Sequence, residues 1–224
     1  MNKRAVGLIP IKLNNQRLPG KNTMDLLGKP LCRYVFDTVK DIKNLDEVYV
    51  LCSDEKICKY LPESGIKFLK RPSFLDGNEI KSKQILDWFV GEVDADVYSL
   101  MHCTQPFIKK ESIETAVDKV LNEDYDSAFC AHEIREFAWY DGKTINYDLE
   151  NVVKTQDLKP IYIEGEVFVF ERDVLKKMCR RIGEHPYIHP IGWKEGICID
   201  ELEDFQMAQA VLCLEREEKR DEKK

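Results

Sequence analysis

Residues 12–22 read Lys-Leu-Asn-Asn-Gln-Arg-Leu-Pro-Gly-Lys-Asn. Lys12, Arg17 and Lys21 stand there beside amide side chains and a Pro-Gly turn. Such a loop can wrap a polyphosphate: arginine offers two parallel N–H bonds, lysine a mobile point charge, and turn N–H groups complete the cradle. It is not a Walker A loop, because GxxxxGK[ST] is absent. Composition alone favours a plainer reading, a solvated basic surface loop. Near the other end, Asp200 is followed by Glu201, Glu203 and Asp204. A carboxylate there can hold Mg2+, which prefers oxygen ligands and keeps several waters. It can equally cap the following helix, and spacing alone favours the cap. His102, ahead of Thr104-Gln105-Pro106, can bind an acceptor or serve as a general base, although a lone histidine at a strand end is more often structural.

The elements that must position these residues follow from the hydrophobic pattern. Residues 5–11 form a short apolar run that reads as a buried strand. Pro30 stands at a first helical position, with Leu31, Val35, Val39 and Ile42 on one apolar face. The alternation then repeats, with strands expected at 47–52, 66–69, 97–103 and 127–131 and helices at 54–60, 80–90 and 112–121. This order implies βαβ units: a mainly parallel, Rossmann-like α/β sheet with helices on both faces. Residues 139–147 carry Asp141-Gly142, a tight hairpin signal, and 161–170 read as a long strand containing Gly165. Together they suggest an antiparallel excursion. A short strand at 197–199 and a final helix from about Glu201 close the chain, with Leu202, Phe205, Ala208 and Leu212 facing inward. Ligands bind at the carboxyl ends of strands in open α/β sheets, which is where the loop after Ile11, His102 and Asp200 all fall.

Composition narrows the classes. The chain has 224 residues, 43% hydrophobic and 33% charged, which suits a single globular domain over 1–224. The formal charge of −7 argues against a broad grip on nucleic acid or an acidic membrane. Eight cysteines include no CxxC pair, so buried thiols in a reducing compartment are expected rather than a zinc site. No segment approaches the length of a membrane span, no N-terminal signal is visible, and the cytoplasm is the expected location. The absence of GxGxxG disfavours a dinucleotide-dependent dehydrogenase. The charge-dense segment 215–224 carries both signs and reads as a solvated helix end.

Ile9-Pro10, then Arg17-Leu-Pro-Gly-Lys-Asn22 and Gly28-Lys-Pro-Leu31, resemble the opening of the acylneuraminate cytidylyltransferases, relatives of the Kdo cytidylyltransferases. The resemblance continues through Ser53-Asp54, Arg71-Pro72, Thr104-Gln-Pro106, Gln156-Asp-Leu158, Gly165 and Ile199-Asp200 to Asp204-Phe205, nearly the whole chain in order. It implies a nucleotidyltransferase: an acceptor hydroxyl attacks the α-phosphorus of CTP, giving a CMP-linked sugar and pyrophosphate. It implies Lys21, with Arg17, at the phosphates; Lys12 and Asn22 at the nucleotide; Arg71 and Ser82 at the cytosine base; and Asp200 at Mg2+. His102, Gln105 and Glu164 fall on the acceptor side. It also implies a homodimer built on residues 137–161, with Phe137, Trp139 and Tyr140 as anchors. The alternative is that these aromatics cover the core of one chain.

The departures from the family pattern cluster around acceptor and metal. Lys12 replaces an arginine, His102 a glutamine, Cys198 a second metal-binding aspartate and Ile108 an arginine; Thr155 stands where arginine is common, and Glu164-Gly165 replaces Asn-Gly. A nonulosonic-acid-like acceptor or another small hydroxylated molecule fits this pattern better than sialic acid itself. Two further readings stay open: a phosphonate or other non-sialic acceptor, and a non-catalytic nucleotide-binding homologue.

Overall fold

The computed structural model describes residues 3–221. In chain order it contains β1 (Ala5–Pro10), α1 (Leu31–Val39), β2 (Glu47–Cys52), β3 (Lys67–Lys70), α2 (Ser82–Glu92), β4 (Val97–Met101), α3 (Lys110–Asn122), β5 (Ser127–Ile134), β6 (Trp139–Tyr140), β7 (Lys143–Thr144), β8 (Ile161–Glu171), α4 (Arg172–Met178), β9 (Pro186–Ile191) and α5 (Leu202–Asp221). Seven strands form one sheet in the order β3-β2-β1-β4-β8-β5-β9, and β6 and β7 form a separate hairpin. All pairings in the large sheet are parallel except those of β8, which runs antiparallel to both β4 and β5.

Strand periodicity explains the layers. Along β1, Ala5 and Ile9 join the α1 and α3 side of the core, while Val6 and Leu8 join the α2 and α4 side. Alternating side chains of a doubly covered strand must both be apolar, which is why β1 reads as a continuous apolar run. The chain leaves β1 toward β2 on one side and reaches β4 on the other. The order therefore reverses between β1 and β4, the place where open sheets leave a crevice at their carboxyl edge.

A third apolar cluster, Leu26, Leu31, Ile197, Ile199, Phe205 and Ala208, packs α5 and the segment before it against the start of α1. Burying such side chains contributes roughly 1.5–3 kcal/mol each. The cluster ties the Asp200 segment to the loop that follows β1.

Several expectations are corrected. Residues 197–199 are not a strand: Ile199 makes one backbone bond, N–H to Thr104 O at 2.8 Å, because the segment crosses the carboxyl rim instead of lying along a strand. Residues 186–191 do form a strand, with Pro186 and Pro190 tolerated because β9 lies at the sheet edge. The short helix α4 also escapes the pattern. Residues 55–60 form a 3-10 helix capped by Asp54, and Pro30 precedes α1. In α5, Phe205 and Ala208 are buried, but Leu202 faces solvent. The Asp-Gly hairpin holds: Asp141 and Gly142 both take positive φ, as a two-residue turn between twisted strands requires. Residues 215–221 continue α5, and 222–224 of that charged segment lie outside the described residues. Among the described residues no helix is long and apolar enough to cross a membrane.

Candidate active site

The loop after β1 folds back through Gly20, whose φ of 69° lies in the left-handed region that glycine enters without steric cost. A 3-10 turn, Lys21–Thr23, follows and buries Lys21 and Asn22. Only 8% of the Lys21 side chain is exposed, so its ammonium needs partners. It donates to Asp200 Oδ1 at 2.7 Å and to the Ile199 carbonyl at 2.8 Å. Arg17, 60% exposed, reaches the same Asp200 oxygen at 2.7 Å. Burial pushes the Asp200 carboxyl up, but the hydrogen bond and charge of Lys21, joined by Arg17, outweigh it and hold the group below the usual carboxylate range. Asp200 is not the helix cap. Asp204 takes that part, accepting from the N–H groups of Asp200 and Glu201 at 2.9 Å each, which leaves the Asp200 side chain to the cations.

Two adjoining cavities, of about 240 and 260 Å3, share Pro10, Lys12 and His102 as walls. The first also takes in Gln16, Arg71, Leu75, Asn78 and Ser82, a half-apolar slot suited to a flat ring. Its Arg71 guanidinium is 2% exposed and is held by Asp76 Oδ1, at 2.5 Å from Nη2 and 3.2 Å from Nε. Ser53 Oγ donates to the same carboxylate. Ser82 opens α2, and Lys12 reaches Asn78 Oδ1 at 3.2 Å. The second cavity is lined by Asn15, Arg17, Lys21, Asn22, Thr104, Glu166 and Asp200. Asn22 donates to the Lys12 carbonyl at 2.8 Å and accepts from the buried Cys103 thiol at 3.3 Å. Asn15 Oδ1 is a buried acceptor without a partner among the described residues.

Lys12, Arg71, Ser82 and His102 thus share one cavity, and Lys12, Arg17, Lys21, Asn22, His102 and Asp200 share the other. Two sequence candidates are placed elsewhere. Gln105 is fully buried, its amide donating to Glu195 O at 2.6 Å and accepting from Glu166 N–H at 2.8 Å, so it braces the cleft from behind. Glu164 lines neither cavity and faces Arg181 at 3.3 Å. Glu166, two residues on, is the carboxylate that reaches the cleft. Sequence reasoning missed it; the signal was an acid inside the apolar run of β8. Glu201, the acid next to Asp200, lines neither cavity. No cluster of three metal-ligating side chains occurs among the described residues.

A cytidylyltransferase family profile matches residues 6–218. The chain is 24% identical to the 3-deoxy-manno-octulosonate cytidylyltransferase of Thermodesulfovibrio yellowstonii, across 94% of this chain and 86% of that protein. It is 22% identical to the N-acylneuraminate cytidylyltransferase of Streptococcus agalactiae across 90% of this chain, and spans about half (52%) of that longer relative. Among solved structures, a CMP:2-keto-3-deoxy-manno-octonic acid synthetase complexed with CTP superposes with a TM-score of 0.71 at 16% identity, covering 95% of this chain and 99% of the other. The profile runs from β1 into α5 and takes in both cavities and every cation that lines them; the chain belongs to the cytidylyltransferase family.

Proposed function

We propose that this cleft joins the CMP moiety of CTP to a hydroxyl of a small sugar-like acceptor and releases pyrophosphate. The observation that carries the reading is the meeting of Lys21, Arg17 and Asp200 beside a slot walled by Arg71 and Ser82. The base lies in the slot, and the triphosphate runs past Lys12 to Lys21 and Arg17. Catalysis here is positioning plus neutralisation of phosphate charge, with no covalent enzyme intermediate. Lys21 and Arg17 release Asp200 as the phosphates arrive, each cation exchanging one anion for another.

Asp200 suits Mg2+ in the way that nucleotide sites do, with one or two carboxylates and the remaining ligands from phosphate and water. Its Oδ2 has no hydrogen-bond partner among the described residues and is the atom offered to the metal. Bound there, Mg2+ would neutralise charge on the phosphate oxygens.

The acceptor sits toward His102 and Thr104. Ile108 is buried, and no arginine other than Arg17 lines the second cavity, so a carboxylate there lacks a bidentate partner of its own. Hydroxyl recognition is favoured, as for a nonulosonic-acid-like sugar or another polyol. The apolar residues of 137–161 serve a second copy of this chain, with Phe137, Trp139 and Tyr140 as anchors.

The test is a screen of CTP, UTP, ATP and GTP against 3-deoxy-manno-octulosonate, its 8-amino analogue, N-acylneuraminate and an aminoalkyl phosphonate, read by product mass. A CMP adduct formed from CTP is the expected result. Calorimetric binding of CTP with no adduct across the panel would favour a non-catalytic nucleotide-binding protein instead.

A further inference from the structure

Two departures from the family pattern, His102 and Cys198, far apart in sequence, meet on one carboxylate, Glu166. Met101 pairs with Val167 across the antiparallel β4–β8 ladder, which sets His102 beside Glu166 at the carboxyl rim. His102 N–H donates to Glu166 O at 3.0 Å, and His102 Nδ1 is hydrogen-bonded to Glu166 Oε2. The other carboxylate oxygen, Oε1, accepts from the Cys198 thiol at 3.4 Å. That thiol is a donor and not a thiolate, because burial, and then the Glu166 charge, push it up to about 12. Gln105 fixes the Glu166 backbone from behind. Burial pushes the Glu166 carboxyl up, but the hydrogen bond and charge of His102, with the Cys198 bond, outweigh it and keep Glu166 ionised. An acceptor-only carboxylate on Nδ1 requires a proton there, so the lone pair of a neutral ring lies on Nε2. Nε2 has no partner among the described residues, and the ring forms part of the wall of both cavities.

We propose that His102 and Glu166 form one proton-accepting unit for the acceptor's hydroxyl, with His102 Nε2 as the base and Glu166 as the positioning residue. The proposal rests on the cytidylyl-transfer reading of this cleft. The hydroxyl proton passes to Nε2 while the acceptor oxygen forms its bond to the α-phosphorus of CTP. The bond from that phosphorus to the bridging oxygen breaks, and pyrophosphate leaves with the electron pair beside Lys21 and Arg17. The imidazolium, held by Glu166, then gives its proton to water. The other titratable groups facing the unit are Lys12, Arg17 and Lys21 from the loop after β1, Cys103 next in sequence, and Cys198 and Asp200 from the segment before α5. Arg71, at the far wall, is already neutralised by Asp76.

The first measurement needs no acceptor. Long-range 15N–1H spectra of the full chain at pH 8, with and without CTP, should show His102 as the Nδ1–H tautomer, and E166Q should release it toward Nε2–H. A wild-type ring in the Nε2–H form would overturn the dyad whatever the acceptor screen gives. A blank screen beside the expected tautomer would count against cytidylyl transfer and against the base, while leaving the His102–Glu166 geometry standing. With an acceptor that yields a CMP adduct, H102Q should lower kcat by about 10²-fold or more with little change in KM for CTP. E166Q should lower it on the order of 10-fold, again with little change in KM for CTP. Turnover close to wild type by H102Q, or by an E166Q variant whose ring has left the Nδ1–H form, would exclude the proposed proton transfer.

Discussion

The two halves of the sheet build their shares of the cleft differently. In the β3-β2-β1-β4 half every strand is parallel, and the cleft-lining residues come from segments at strand ends over a closed core. In the β8-β5-β9 half, an antiparallel strand delivers Glu166 to the same rim from the opposite direction. Its first residues, with β5, run beyond the core toward the exposed aromatics of 137–161. In the first half Arg71 is buried and paired with Asp76. Where the halves meet, the charges are paired across the junction: His102, after β4, on Glu166 of β8, and Lys21, from the loop after β1, on Asp200 ahead of α5.

The largest effect is expected from Lys21→Ala, which removes the cation at the junction of the halves. Turnover should fall by about 10²–10³-fold or beyond, the scale for losing one preorganised charge stabiliser. The fold should persist, because Arg17 still neutralises Asp200. Pyrophosphate release at the wild-type rate by the folded variant would place the triphosphate elsewhere and break the comparison.

A smaller effect separates the excursion from the sheet. Trp139 and Tyr140 are 54% and 77% exposed, and Ile145, Leu149, Val152 and Ile163 nearby are also uncovered. If a second copy covers them, the double variant Trp139→Ser with Tyr140→Ser should weaken association by about 2 kcal/mol or more, the scale of aromatic anchors, and leave thermal unfolding of the sheet nearly unchanged. Sedimentation velocity reads the difference. Wild-type protein that sediments as a monomer at tens of micromolar, a range set by roughly −6 kcal/mol of association free energy, would remove this role.

The parallel half was the more legible in the sequence because its signals are local. The apolar run of β1, the helical face of Leu31, Val35 and Val39, and the cationic loop are each contained within one element, and each folds as its pattern suggests. In the other half the decisive facts are pairings. Pro186 and Pro190 argue against a strand until it is known that β9 is an edge. Glu166 looks like a misplaced acid in β8 until the Met101–Val167 register sets it against His102. Gln105 and Glu164 are cleft residues only by the family resemblance, and a two-residue spacing on a strand does not say which carboxylate, Glu164 or Glu166, reaches the rim. Asp200 was ambiguous between cap and ligand because the competing cap, Asp204, is recognisable only once the hydrogen bonds are seen.

The smallest effect contrasts two glycines. Gly165 lies where the β5–β8 register shifts between Phe129 and Ala131, and a Cβ there would meet Cys130 O at 3.0 Å and Gln105 Nε2 at 3.3 Å. The carbonyl belongs to a buried strand and Gln105 is held at both ends, so neither can give way cheaply. Gly165→Ala should therefore cost about 1–3 kcal/mol, an overpacking penalty, and lower Tm by roughly 2–4 °C per kcal/mol for a chain of this length. Gly91, in α2 of the parallel half, has open space around its missing Cβ. Gly91→Ala should gain up to about 1 kcal/mol from helix propensity. Opposite signs, read by denaturant unfolding, would locate the close backbone approach in the half that carries Glu166. Because Gly165 adjoins Glu166, its variant should also disturb the His102 ring resonances, whereas Gly91→Ala should not. Equal stabilisation by both substitutions would mean that β8 is not pressed against β5 at Gly165.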